Sequence, residues 1–125
     1  MNLEELVPPF DLCKKIPAGE FENTALVYIE TKIPQQNKTE WRVTVANEII
    51  RRCHNRKLPA PTLQEILEEL HKQQEDVFLK WSDTAYNEWF VNAYTHNKED
   101  YQAHDSNPAT AALKVWLKLK GIIEV

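Results

Sequence analysis

The sequence predicts an α+β fold, an antiparallel sheet of four or five strands with two or three helices packed on it. Three observations predict it. Three segments alternate residues with period two and a fourth is rich in β-branched and aromatic residues, which are strand patterns. Two segments carry helix start signals ahead of an apolar stripe. Short polar stretches join the strands in pairs, as hairpins require. With 125 residues the chain suits a single domain over 1–125. A chain of that size buries roughly two-thirds of its unfolded surface, so its core needs neither a disulfide nor a metal.

Near the N-terminus "PFDLCKKI" (9–16) predicts a short helix with Cys13 on its inner face as a small core residue. "TALVYIETKI" (24–33) is β-branched and aromatic, and "EWRVTVA" (40–46) sets Trp41, Val43 and Val45 against Arg42, Thr44 and Ala46; the polar "PQQNK" between them predicts a hairpin. Residues 47–57 read equally as a continued strand or a helical turn.

The clearest helix is "LPAPTLQEILEELHKQ" (58–73). Thr62 and Glu65 stand in the capping-box spacing, in which each side chain satisfies a free backbone donor at the helix start. Leu63, Ile66, Leu67 and Leu70 then form one apolar stripe, with Glu65, Glu68 and Glu69 away from it.

A second hairpin follows. "DVFLKWS" (76–82) alternates Val77, Leu79 and Trp81 with Phe78, Lys80 and Ser82, and "EWFVNAYT" (88–95) alternates Trp89, Val91 and Ala93 with Phe90, Asn92 and Tyr94. "EDYQAH" (99–104) predicts a short edge strand. The last helix is expected in "DSNPATAALKVWLKLKG", with Ser106 or Asn107 as cap, Pro108 as first helical residue and Gly121 as the terminal left-handed residue. Ala112, Leu113, Trp116 and Leu117 are expected to face inward, with Lys114, Lys118 and Lys120 outward. The order also suggests a weak internal helix–strand–strand repeat, 8–48 and 59–97. Each half has a proline-led helix and a hairpin whose second strand opens E-W-x-V (Glu40-Trp41, Glu88-Trp89).

Composition narrows the chemistry. Two glycines leave no glycine-rich phosphate loop. The two cysteines, Cys13 and Cys53, lie far apart with no C-x-x-C pair, so reduced thiols without an intrachain disulfide are expected. "MNLEELVPPF" carries acids where a secretory signal carries basic residues, and no apolar run is long enough to span a membrane. A cytoplasmic protein is the expectation. His54, His71, His96 and His104 lack metal-ligand spacing. A metal set from Cys53, His96 and His104, or a Cys53–His nucleophile pair, is the weaker reading, because no family signature surrounds either. No metal, no cofactor and no enzymatic activity are expected.

Two candidate contact regions remain. The run "RRCHNRK" concentrates Arg51, Arg52, Arg56 and Lys57, suited to nucleic-acid phosphates or to an acidic protein. The formal net charge of −4 argues against general nucleic-acid binding. The second region is the sheet face carrying Phe78, Phe90 and Tyr94, with Lys80 and Asn92 between them. A contiguous patch of that kind marks a partner or homodimer contact. The alternative is that the first or last helix crosses over and buries it.

"LCKKI…F…ALVYI", "APTLQEILEEL" and "ATAALKVWLKLK" together resemble a diffuse group of small uncharacterised phage and prophage proteins, over most of the chain. That group often has Gly-Phe-Pro-Gln after the first helix, where this chain has "IPAGEFEN". It often has Leu-Pro after the second, where this chain has Leu70-His71. The resemblance implies a phage-derived origin and transfers no catalytic residue. The expectation is an accessory protein that works by binding a protein partner or by homo-oligomerising. The alternative is a nucleic-acid-binding module using residues 51–57.

Overall fold

The structure, a computed structural model, describes residues 3–33, 38–45, 57–73, 76–82, 88–94 and 100–123. For residues 31–33, 38, 57, 73 and 76–82 it describes the backbone. A 3-10 turn, Leu3–Leu6, leads to α1 (Phe10–Cys13), β1 (Leu26–Ile33), β2 (Lys38–Val45), β3 (Lys57–Pro59), α2 (Leu63–Gln73), β4 (Asp76–Ser82), β5 (Glu88–Tyr94), β6 (Asp100–Asp105) and α3 (Pro108–Leu119). The α+β class holds. The strands do not form one sheet of four or five. They form two antiparallel three-stranded sheets, in the orders β2-β1-β3 and β4-β5-β6.

The reason lies in α3. Ala109, Ala111, Ala112, Leu113, Val115, Trp116 and Leu117 are all buried, a wider arc than the expected Ala112, Leu113, Trp116 and Leu117. A helix that is apolar around most of its circumference must be enclosed, so one sheet face cannot satisfy it. The cluster that encloses it draws Leu26 and Tyr28 from the first sheet, Val91, Ala93 and Ala103 from the second, and Ile66 and Leu70 from α2. Lys114 and Lys118, expected in water, are half-buried: Lys114 Nζ reaches Asp105 Oδ2 at 3.2 Å, and Lys118 Nζ donates to the Gln102 carbonyl at 2.7 Å.

The two hairpins close in the expected pairs. β1 and β2 register Tyr28 with Val43 and Glu30 with Trp41, and β4 and β5 register Val77 with Ala93, Leu79 with Val91 and Trp81 with Trp89. The register therefore puts Val77, Leu79 and Trp81 on the same face as Trp89, Val91 and Ala93, as the alternation predicted. β3 was not expected. Its three residues are too few to show alternation, and it pairs with β1 through Val27–Pro59, Tyr28–Leu58 and Ile29–Lys57. Pro59 is tolerated because β3 is an edge strand. Among the described residues the order of one helix followed by three strands occurs twice, but the first strand is central in one sheet and the second strand in the other.

Helix ends follow their local signals. Thr62 N donates to Glu65 Oε1 at 2.9 Å and Glu65 N donates back to Thr62 Oγ1 at 3.4 Å, the reciprocal pair of a capping box. The second oxygen of Glu65 accepts from Ala25 N at 2.9 Å, so the cap also ties α2 to the start of β1. At α3, Asn107 Oδ1 accepts from Ala109 N at 2.9 Å and from Thr110 N at 3.4 Å. At the far end Gly121 has φ +75°, Gly121 N donates to Lys118 O and Ile122 N to Leu117 O, the paired bonds of a Schellman turn. The first helix is shorter than expected, Phe10–Cys13 against 9–16. Four residues cannot sustain a helix on propensity alone, and this one is held by Cys13 and Phe10 packing on the core.

Candidate binding surface on the second sheet

Val91, Ala93 and Ala103 point into the core, and alternation places Phe90, Asn92 and Tyr94 of β5 with Asp100, Gln102 and His104 of β6 on the opposite face. That face has three rows that cross all three strands, with Ser82 and Glu88 registered beyond them on β4 and β5. Lys80, Phe90 and His104 are registered together, then Phe78, Asn92 and Gln102, then Asp76, Tyr94 and Asp100. Among the described residues no helix covers the β5–β6 part of it. Tyr94 is 41% exposed, and Asp100, Gln102 and His104 are exposed as well. Phe90 is half-buried and stacks on the His104 ring, with centroids 5.7 Å apart and planes 19° apart. The His104 Nδ1 is held by a Glu88 carboxylate oxygen, which fixes the ring against Phe90. Gln102 Nε2 donates to Asp100 Oδ2 at 2.8 Å. Asn92 Oδ1, in the middle, is covered and has no hydrogen-bond partner among the described residues.

At the β6 edge, Phe90, Gln102, His104, Lys114 and Lys118 line an open cleft of about 310 Å³. Lys118 donates to the Gln102 carbonyl there. An edge strand with free backbone groups invites another strand, and this lysine occupies one of them. Access is left to the face rather than to that part of the edge.

The residues singled out in the sequence are distributed as follows. Phe90 and Tyr94 share this face, two residues apart on β5. Phe78 is registered opposite Asn92, with its backbone alone described. Arg51, Arg52 and Arg56 lie outside the described residues, as do Cys53, His54 and His96, and Lys57 opens β3 opposite Ile29 with its backbone alone described. His104 and Gln102 are contact residues that the sequence reading passed over. Their signal was the period-two order D-Y-Q-A-H-D, which sets Asp100, Gln102 and His104 on one side.

A second concavity, about 490 Å³, lies beside the N-terminal segment, lined by Glu4, Phe10, Tyr28, Trp41 and Asp105 among others. Phe10 stacks on Trp41 with centroids 4.7 Å apart, meets Tyr28 edge-on at 5.6 Å, and has Lys14 Nζ over its ring at 5.2 Å. Behind it, the Pro8 carbonyl accepts from Tyr28 OH at 2.7 Å and from Cys13 Sγ at 3.6 Å. Burial pushes the Cys13 thiol from 9.0 up to about 12. Tyr28 rises from 10.0 to about 12, through burial first and then the negative charges of Cys13 and Glu4. Cys13 is therefore a neutral core thiol at physiological pH, not a nucleophile. Among the described residues no group of three or more His, Cys, Asp or Glu side chains is placed to hold a metal ion. No helix among them is long and apolar enough to cross a membrane.

The two raised values give a pH prediction. Below pH 9.0 both groups are neutral whether the chain is folded or unfolded, and their neutrality costs nothing. Above it the unfolded chain releases these protons first, so native stability falls as pH rises from 9.0 toward about 12 and both groups ionise in the fold only there. Urea midpoints for the wild type should drop over this window, and Tyr28→Phe should flatten part of the drop. A midpoint independent of pH up to 11 in the wild type contradicts it.

Comparison of the chain with protein-family models, with curated proteins and with solved structures found no match.

Proposed function

We propose that this chain is a phage- or prophage-derived accessory protein that acts in the cytoplasm by binding another protein, through the outer face of β4–β5–β6, and not by catalysis. One observation carries the reading. Tyr94 is 41% exposed beside the half-buried Phe90 and Asn92, on a face where Asp100, Gln102 and His104 are exposed. Tyr and Phe supply large, rigid contact area at low entropic cost, and aromatic anchors inside a polar rim are the common anatomy of protein interfaces. The resemblance to small phage proteins supports the origin.

The test is the double substitution Phe90→Ser with Tyr94→Ser. Neither residue belongs to the buried cluster around α3. The variant should keep the far-ultraviolet spectrum and melt within several degrees of the wild type. Wild-type bait and variant bait are compared in host lysate, and the captured complex is mapped by hydrogen exchange. The expected result is a protein captured by the wild type alone, with amide protection over residues 88–105. A variant that unfolds, or that captures as the wild type does, rejects the proposal. So does protection confined to another surface.

A further inference from the structure

We propose that this face docks against a second copy of the chain about a two-fold axis lying along the Phe78–Asn92–Gln102 row. The inference rests on the reading of the face as a binding surface and names its occupant. The three rows are ordered by charge. The Lys80–Phe90–His104 row has a lysine at one side and a histidine at the other, and the Asp76–Tyr94–Asp100 row has an aspartate at each side. Both carry an aromatic residue in the centre.

A symmetric pair has an isologous interface, in which the same patch faces itself. For two sheets packed face to face the axis lies in the plane between them, and two in-plane directions follow the sheet's own lattice. An axis along β5 sets β4 over β6. Lys80 then faces His104, and Asp76 faces Asp100, carboxylate against carboxylate. An axis along the middle row keeps each strand over its counterpart and reverses the rows. Lys80 then faces Asp76 of the second copy, His104 faces its Asp100, and Phe90 faces its Tyr94. The Lys80–Asp76 contact sets opposite charges together and the Phe90–Tyr94 contact sets two aromatic residues together, and each occurs twice; His104 meets Asp100 already held by its own Glu88. Gln102, which is exposed, sits on the axis opposite its own equivalent, where an amide donates and accepts with equal facility. The ring of His104, held by Glu88 and stacked on Phe90, is already oriented on this face.

The patch is small. Three strands roughly 4.8 Å apart and five residues at roughly 3.4 Å each make a contact at the low end of interface sizes. The dimer is therefore reversible and concentration-dependent, and its charged pairs make it weaker in high salt.

Sedimentation of the full chain over a concentration series, at low and high salt, reads it. The wild type should associate to a dimer that added salt weakens. Asp76→Lys and Lys80→Asp, each alone, set like charges face to face and should raise the dimer Kd at least about tenfold. An equimolar mixture of the two should dimerise again, because every facing pair becomes opposite in sign. The chain carrying both substitutions should also recover. Tyr94→Ser, at an exposed residue, should weaken the dimer by removing the contact with the second copy's Phe90, and it tests the proposal if a β4 variant fails to fold. A wild type that stays monomeric throughout, single variants with unchanged Kd, or a mixture that stays monomeric overturns the proposal. A monomeric wild type that still captures a protein over residues 88–105 removes this inference and leaves the binding face standing. A dimer that survives Phe90→Ser with Tyr94→Ser removes the face itself.

Discussion

Trp116→Ala should lower the free energy of unfolding by about 3–5 kcal/mol, the largest loss expected from a single side chain in this protein. Trp116 is 0% exposed and sits at the middle of the enclosed helix α3, among Leu113, Val115 and Leu117. Phe21 meets its ring edge-on, with centroids 4.9 Å apart, and Lys120 Nζ lies 5.6 Å from the ring centre. Phe21 is held with φ +54°, a left-handed conformation costly for a bulky residue, and its contact with Trp116 offsets that cost. Truncation removes the indole and leaves Phe21 without its support, so the loop before β1 should loosen as well. Trp116→Phe is the informative companion. The indole Nε1 is buried with no hydrogen-bond partner among the described residues, so the smaller ring surrenders no bond and should keep most of the stability. Urea unfolding followed by far-ultraviolet dichroism measures both. An Ala variant within about 1 kcal/mol of the wild type would show that the α3 core reorganises around the gap, contrary to its dense packing.

Asn107→Ala should cost about 2–3 kcal/mol, although the residue is only half-buried. Its Oδ1 caps α3, a role worth about 1–2 kcal/mol. Its Nδ2 donates to the Val7 carbonyl at 3.0 Å and the Glu5 carbonyl at 3.4 Å, so one amide binds the N-terminal segment to the start of the last helix. Those bonds add about 1 kcal/mol. Asn107→Asp separates the two roles. It keeps the cap acceptor and loses the donor, so it should restore the helix without restoring the N-terminal segment. Hydrogen exchange at residues 3–13 reads the second effect directly. An Asn107→Asp variant that protects those amides as the wild type does would show that the 3-10 turn holds its place without the amide.

Those two residues were not equally visible. Asn107 was one of two named caps because Pro108 follows it, and its capping role is a matter of three consecutive residues. Its grip on Val7 joins residues 100 positions apart in the chain, and nothing near either residue announces it. Trp116 was expected to face inward, yet Phe21 had no signal, because a left-handed phenylalanine in a loop is stabilised by a neighbour and not by its own sequence. Of the contact face, Phe90 and Tyr94 were legible from alternation alone. His104, Gln102 and Asp100 joined them only when β6 paired with β5 and not with another edge.

The division follows the range of the forces involved. Capping bonds, the Schellman turn, the β-branched strands and the two hairpins act between residues within a few positions of each other, and the order of residues by itself determined them. Hydrophobic burial has no sequence range. It decided that α3 is enclosed on most sides instead of lying on one, that the strands divide into two sheets, that three residues ending in Pro59 pair with β1, and that Lys114 and Lys118 lie half-buried against β6. Each of these depends on which apolar surfaces meet across the fold. The charge order of the outer face belongs to both levels: alternation selected the residues of each strand, and only the pairing of three strands arranged them into rows.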